Sequence, residues 1–96
     1  MHRKEKQIMH GVNKAREQRR TERKLQRIKQ AEKDGMTSYL AWACAEGFWE
    51  GEHATEEQII QAWQYIHDTG MANHLQGFYG RTINNLINQN IIEQWK

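Results

Sequence analysis

Thr55-Glu56-Glu57-Gln58-Ile59-Ile60-Gln61-Ala62-Trp63-Gln64-Tyr65-Ile66-His67-Asp68-Thr69-Gly70 is the stretch whose reading decides the fold. Thr55 and Gln58 have the Thr-x-x-Gln spacing of a capping box, in which each side chain satisfies a backbone N–H of the other residue. Glu56 and Glu57 put negative charge at the positive end of the helix dipole. Ile59, Trp63 and Ile66 then recur at i, i+4 and i+7, with Ile60 and Ala62 alongside, so one face is apolar. Asp68-Thr69-Gly70 ends the run, with Gly70 free to take the left-handed conformation that closes a helix.

The flanking segments also read as helical. On the N-terminal side, Thr37 and Ser38 are cap candidates for a helix over about 38–49, weakened by Gly47 and ended by Gly51. Tyr39, Trp42, Ala43 and Glu46 share one of its sides. A loop over about 50–54 follows. On the C-terminal side, residues 71–76 read as a short helix broken by Gly77. Phe78-Tyr79-Gly80-Arg81 reads as a tight aromatic turn. A last helix begins at Thr82, or from about Phe78. Ile83, Leu86 and Ile87 form its buried stripe, with Asn84, Asn85 and Asn88 outward. Asn90 suits a left-handed stop, after which Ile91, Ile92 and Trp95 return to the core. The four Trp and two Phe have a plain reading as core, with Trp49 and Trp95, at element ends, the surface candidates.

Residues 13–33 contain neither Gly nor Pro and are rich in strong helix formers. They predict a helix over about 13–34, with Asn13 as cap and Gly35 as stop, extending back toward residue 3 if Gly11 permits. The apolar residues hold no heptad, which argues against a coiled coil. The fold class is therefore all-α: a long basic N-terminal helix followed by a small bundle of three to four short helices. Two parts are expected, a basic helical arm over 1–35 and an acidic, aromatic-rich globule over 36–96.

Charge separates these parts. Residues 1–35 carry twelve basic side chains against five acidic ones, a net +7, whereas residues 36–96 carry two against seven, a net −5. The asymmetry suits an arm that binds polyanions, or an arm that folds onto its own globule. At 100° per residue, Arg16, Arg20, Arg23 and Arg27 fall within about 60° of one another, flanked by Arg19 and Lys24. A one-sided arginine stripe fits phosphates, which arginine binds bidentately. The competing reading is a solvated helix neutralised by its own pairs, Glu17 with Arg20 and Glu22 with Arg19 or Gln26.

Arg19-Arg20-Thr21-Glu22-Arg23-Lys24 resembles the arginine-rich RNA-binding peptides of lambdoid phage antitermination N proteins. The resemblance covers about six residues and implies affinity for RNA. Arg16 stands where that pattern has a small residue, and Ala31 near where it has a stacking aromatic. Residues 62–70, followed by Leu75-Gln76-Gly77-Phe78-Tyr79-Gly80-Arg81-Thr82, resemble a short domain of uncharacterised small proteins of tailed bacteriophages. That resemblance implies a phage source. In it Gly77 and Gly80 would set a turn and Arg81 would anchor it or a partner.

Other function classes find little support. Mean hydropathy is −1.01 over 11.5 kDa, and no apolar run approaches the roughly 20 residues of a membrane span. The N-terminal charges precede no apolar core, so no secretory signal is expected. Cys44 is the single cysteine. It has no partner for an internal disulfide, and no Cys/His spacing suggests zinc. His67 and His74 could meet across Gly70, but they match no metal motif. Gly77-Phe78-Tyr79-Gly80 lacks the Lys-Ser/Thr of a phosphate loop. The order helix, Gly70 turn, short helix, Gly77 turn, helix, then Ile91-Ile92 resembles a helix-turn-helix with its wing cut short, with Arg81, Thr82, Asn84 and Asn85 toward a major groove, yet one arginine on an acidic globule falls short of the several cations a duplex-binding face needs. No enzyme, cofactor or metal is expected, and a cytoplasmic setting is.

The principal expectation is an adaptor. RNA or a nucleoprotein would be bound through Arg16, Arg19, Arg20, Arg23, Lys24 and Arg27. A protein partner would be held through Trp49, Phe78, Tyr79, Arg81 and Trp95, since aromatics and arginine dominate interface hot spots. The alternatives are an inhibitor that captures one host protein through the globule, and a minor virion component whose arm touches DNA.

Overall fold

The computed structural model describes the backbone of residues 2–94 and the side chains of residues 15–94. Its elements are α1 (His2–Lys33), α2 (Ser38–Glu46), α3 (Glu56–Thr69) and α4 (Gly77–Asn88), with 3-10 turns at Trp49–Gly51 and Met71–His74. No strand occurs among the described residues, so the fold is all-α. Asn13, expected as a cap, falls inside the bounds of α1, and its side chain, like Trp95, lies outside the described residues.

The capping box forms as the spacing predicts. The Gln58 backbone N–H donates to Thr55 Oγ1 at 3.1 Å, and the Thr55 N–H donates to Gln58 Oε1 at 2.8 Å. Gly70 closes α3 in the left-handed region at φ 78°. α3 lies at the centre and packs against both α2 and α1. The α2–α3 contact is made close by alanine, since Ala41, Ala43 and Ala62 are fully buried and offer no bulk to hold the helices apart. Ile66, also fully buried, contributes about 1.5–3 kcal/mol by leaving water. Trp63, Tyr65, Tyr79, Ile83 and Ile92 complete the core.

Two expected boundaries move. Gly47, not Gly51, ends α2: it sits at φ 76° and donates its N–H to Ala43. α4 begins at Gly77, in line with the alternative start at about Phe78 rather than the one at Thr82, so Phe78-Tyr79-Gly80-Arg81 is the first helical turn rather than an aromatic turn, and Thr82 lies inside the helix. Neither Gly77 nor Gly80 takes a positive φ. The earlier start puts Tyr79 and Ile83 four residues apart on one face, both buried, which extends the apolar stripe by a turn.

The junction at Gly35 is a helix stop packed on the core. Met36 N–H donates to Ala31 O at 2.8 Å and Gly35 N–H to Glu32 O at 3.0 Å, with Gly35 at φ 98°. This is a Schellman closure, and its accompanying apolar contact places Ala31 and Met36 in the common core. The C-terminal end of the basic helix is therefore built into the globule.

Candidate functional site

The arginine stripe shares a helix face with Ala31. Where that face reaches the globule, Arg27 meets α3 and the C-terminal tail. Its Nε and Nη2 donate to Oδ2 and Oδ1 of Asp68, both at 2.9 Å, and its Nη1 donates to Glu93 Oε2 at 2.7 Å. The Asp68 side chain is 1% exposed. This bidentate fork is the strong geometry for an arginine–carboxylate pair. The hydrogen bond to Asp68 raises the Arg27 pKa above its usual value, helped by both carboxylate charges and opposed by burial. Gln64 completes the network. Its amide donates to Asp68 Oδ1 and to the Glu93 carbonyl, both at 3.0 Å, and its carbonyl accepts the Glu93 backbone N–H at 2.7 Å.

Arg27 is thus consumed inside the protein. The sequence assigned it to a nucleic acid, and the structure gives it Asp68 and Glu93 instead. This bears out in part the alternative of an arm folded onto its own globule. Above it, Arg16, Arg19, Arg20 and Arg23 are exposed, and Lys24 is half-buried at the edge of the stripe. Among the described residues, none of those four arginines makes a side-chain hydrogen bond or ion pair, and the expected pairs Glu17–Arg20 and Glu22–Arg19 do not form.

The stripe borders a groove of about 530 Å³. One wall is α1, through Arg20, Arg23 and Arg27, and the other is the tail, through Asn90, Ile92, Glu93 and Gln94, with Ile87 between them. Asn90 takes the left-handed conformation expected of it, at φ 59°.

A second surface lies on α2 and the turn after it. Tyr39, Trp42, Phe48 and Trp49 form one ring cluster, with Trp42 and Phe48 edge-on at 4.6 Å and Phe48 and Trp49 edge-on at 4.8 Å. Trp49 is 65% exposed and Tyr39 47%, and their rings are near-parallel at 6.3 Å. Tyr39 donates its hydroxyl to Glu50 at 2.8 Å. That bond holds the Glu50 carboxyl below its ordinary pKa and pushes the Tyr39 phenol up. Trp49 sits at φ 50°, a strained region for a tryptophan. Gly51 holds this turn against α2, since a Cβ there would lie 2.1 Å from the Ala43 carbonyl oxygen.

The expected partner-binding residues separate accordingly. Trp49 and Arg81 are exposed, Phe78 is half-buried, and Tyr79 is buried. Tyr79 belongs to the core, where it donates its hydroxyl to Glu46 and its ring lies tilted against that of Trp63 at 5.6 Å, so it is not a contact residue. Burial and the Glu46 contact push its phenol pKa up. Tyr39, Trp42 and Glu50 were missed as members of this surface. The i, i+3 spacing of the two rings beside Phe48-Trp49 was the available signal. Cys44 is buried, which raises its thiol pKa and makes it a poor nucleophile.

Among the described residues no group of three or more His, Cys, Asp or Glu side chains is placed to hold a metal ion, and no helix is long and apolar enough to cross a membrane. No family model matches the chain, and no curated protein or solved structure matches it either.

Proposed function

We propose that this chain is a non-enzymatic adaptor of phage type that binds RNA or a ribonucleoprotein through α1 and a protein partner through its globule, in the host cytoplasm. The observation that carries the reading is the stripe itself. Four exposed arginines on one side of α1 lack an acidic partner among the described residues, although Glu17 and Glu22 are within helical reach. A helix meant only to be solvated would gain about 0.2–0.5 kcal/mol from each such pair. Unpaired arginines instead suit phosphates supplied from outside. The phage source rests on the resemblance carried by residues 62–70 and Leu75 to Thr82.

The test is direct RNA binding by fluorescence anisotropy at several salt concentrations. The double charge reversal Arg20→Glu/Arg23→Glu is expected to abolish binding with the helical circular dichroism intact. Equal binding by this variant and the parent would remove the reading. One observation favours the second reading, capture of a host protein: Trp49 is held exposed at a strained φ beside Tyr39. On that reading Trp49→Ala abolishes partner capture while RNA affinity is unchanged.

A further inference from the structure

We infer that the groove between α1 and the tail takes one unstacked nucleotide of a single-stranded RNA, its phosphate on Arg20 and Arg23 and its base edge on Asn90 and Gln94. The inference rests on the RNA reading of α1 and adds a second wall to it.

The tail wall is fixed before any ligand arrives. Gln64 grips both backbone polar groups of Glu93, at 3.0 and 2.7 Å. Ile91 N–H donates to Leu86 O at 2.9 Å, and Ile92 is 4% exposed. Preorganisation of this kind lowers the ordering cost of binding. The groove's volume of about 530 Å³ falls in the range of ligand pockets, about 300–1,000 Å³. It is far too small to admit a duplex, but it accommodates a splayed base and its phosphate.

The lining chemistry points the same way. Arg20 and Arg23 present guanidinium groups that bind a phosphate or stack on a base, Asn90 and Gln94 present amides able to donate and accept, and half-buried Ile87 presents apolar surface for a base face. This combination, with bases read on their edges beside arginine, is how single-stranded RNA is recognised. The local charge limits the ligand to one phosphate. Asp68 and Glu93 offset two of the three arginine charges, leaving a single net positive charge at the groove. Glu93 restricts it further. Its side chain is 69% exposed at the groove and bonds Arg27, so an entering phosphate is repelled from Arg27 and directed to Arg20 and Arg23.

The experiment compares a labelled single-stranded RNA of mixed sequence with the same sequence as a duplex, using the full chain. Glu93→Gln keeps the backbone grip of Gln64 and the Asp68 pair, and is expected to tighten single-strand binding about fivefold by removing one repulsive charge. Asn90→Asp keeps the left-handed backbone and is expected to weaken it about fivefold. Duplex affinity should move less than twofold in both. If neither substitution moves single-strand affinity while Arg20→Glu/Arg23→Glu abolishes it, the groove is overturned and the RNA reading of α1 stands. If single strand and duplex respond alike, the groove senses phosphate only and the nucleotide assignment falls. If the parent binds neither RNA, both readings fall. If an acidic peptide binds instead with the same response to Glu93→Gln, the groove belongs to a protein partner and the inference is overturned. Should Asn90→Asp fail to fold, Glu93→Gln still decides.

Discussion

Arg27 shows how one side chain can be read correctly for chemistry and wrongly for place. Its position on the stripe is sound, but its guanidinium is spent on Asp68 and Glu93. Removing it strands the Asp68 carboxylate, whose side chain is 1% exposed. Arg27→Ala is expected to cost about 3 kcal/mol in urea unfolding. Arg27→Met/Asp68→Leu is expected to cost less than the single change, because no buried charge is left unpaired. A loss equal to or larger than that of the single change would mean that the pair stabilises the fold outright. Tyr79 gives a pH dependence. Its folded phenol pKa is raised, so its contribution is fully present below the unfolded value of about 10 and is lost as pH rises toward the folded value. Stability should therefore decline above about pH 10, and Tyr79→Phe should flatten that limb, as read from Tm against pH. None of this was legible in sequence. Asp68 read as a helix stop, and its partner lies 41 residues away, beyond any local pattern.

At the scale of elements, local signals were reliable where the chemistry is local. Thr55 with Gln58, Gly70 and Asn90 all act as their spacing implied, because a cap or a left-handed stop is decided within four residues. Gly51 and Gly77 misled for complementary reasons. Gly51 is required by close approach to Ala43 rather than by a helix end, and Gly77 opens α4 under the pull of Tyr79 and Ile83 toward the core. Gly51→Ala must displace the Trp49–Gly51 turn, since the new methyl meets α2 backbone rather than a movable side chain. A loss of about 1–3 kcal/mol is expected. A shift in tryptophan emission toward that of free indole should accompany it. Unchanged emission would mean that Trp49 is not held by this contact. Thr55→Ala is expected to cost about 1 kcal/mol in the same denaturation assay.

For the whole molecule, the separation into a +7 arm and a −5 globule was plain in the charges, but their union was not. Ile28 packs against the core, Ala31 and Met36 lie within it, and Arg27 ties α1 to α3 and the tail. A chain shortened to residues 35–96 is expected to lose cooperative thermal unfolding, because it exposes that core surface and leaves Asp68 without Arg27. RNA binding should weaken with salt at a log–log slope of about −2 for three phosphates on a single strand, one of them shared by Arg20 and Arg23, and lose about 0.7 with Arg16→Gln or Arg19→Gln. A slope near zero would exclude a phosphate-dominated contact. The Arg27 network has one more consequence, in time. Its bonds to the two carboxylates span 41 and 66 residues, so in a chain made from its N-terminus α1 is synthesised well before either acid that restrains it. Contacts of such separation close late and cost the most chain entropy. The nascent protein thus presents α1 first with Arg27 free of Asp68 and Glu93, and this arginine acquires its carboxylates afterward, one from α3 and then one from the tail.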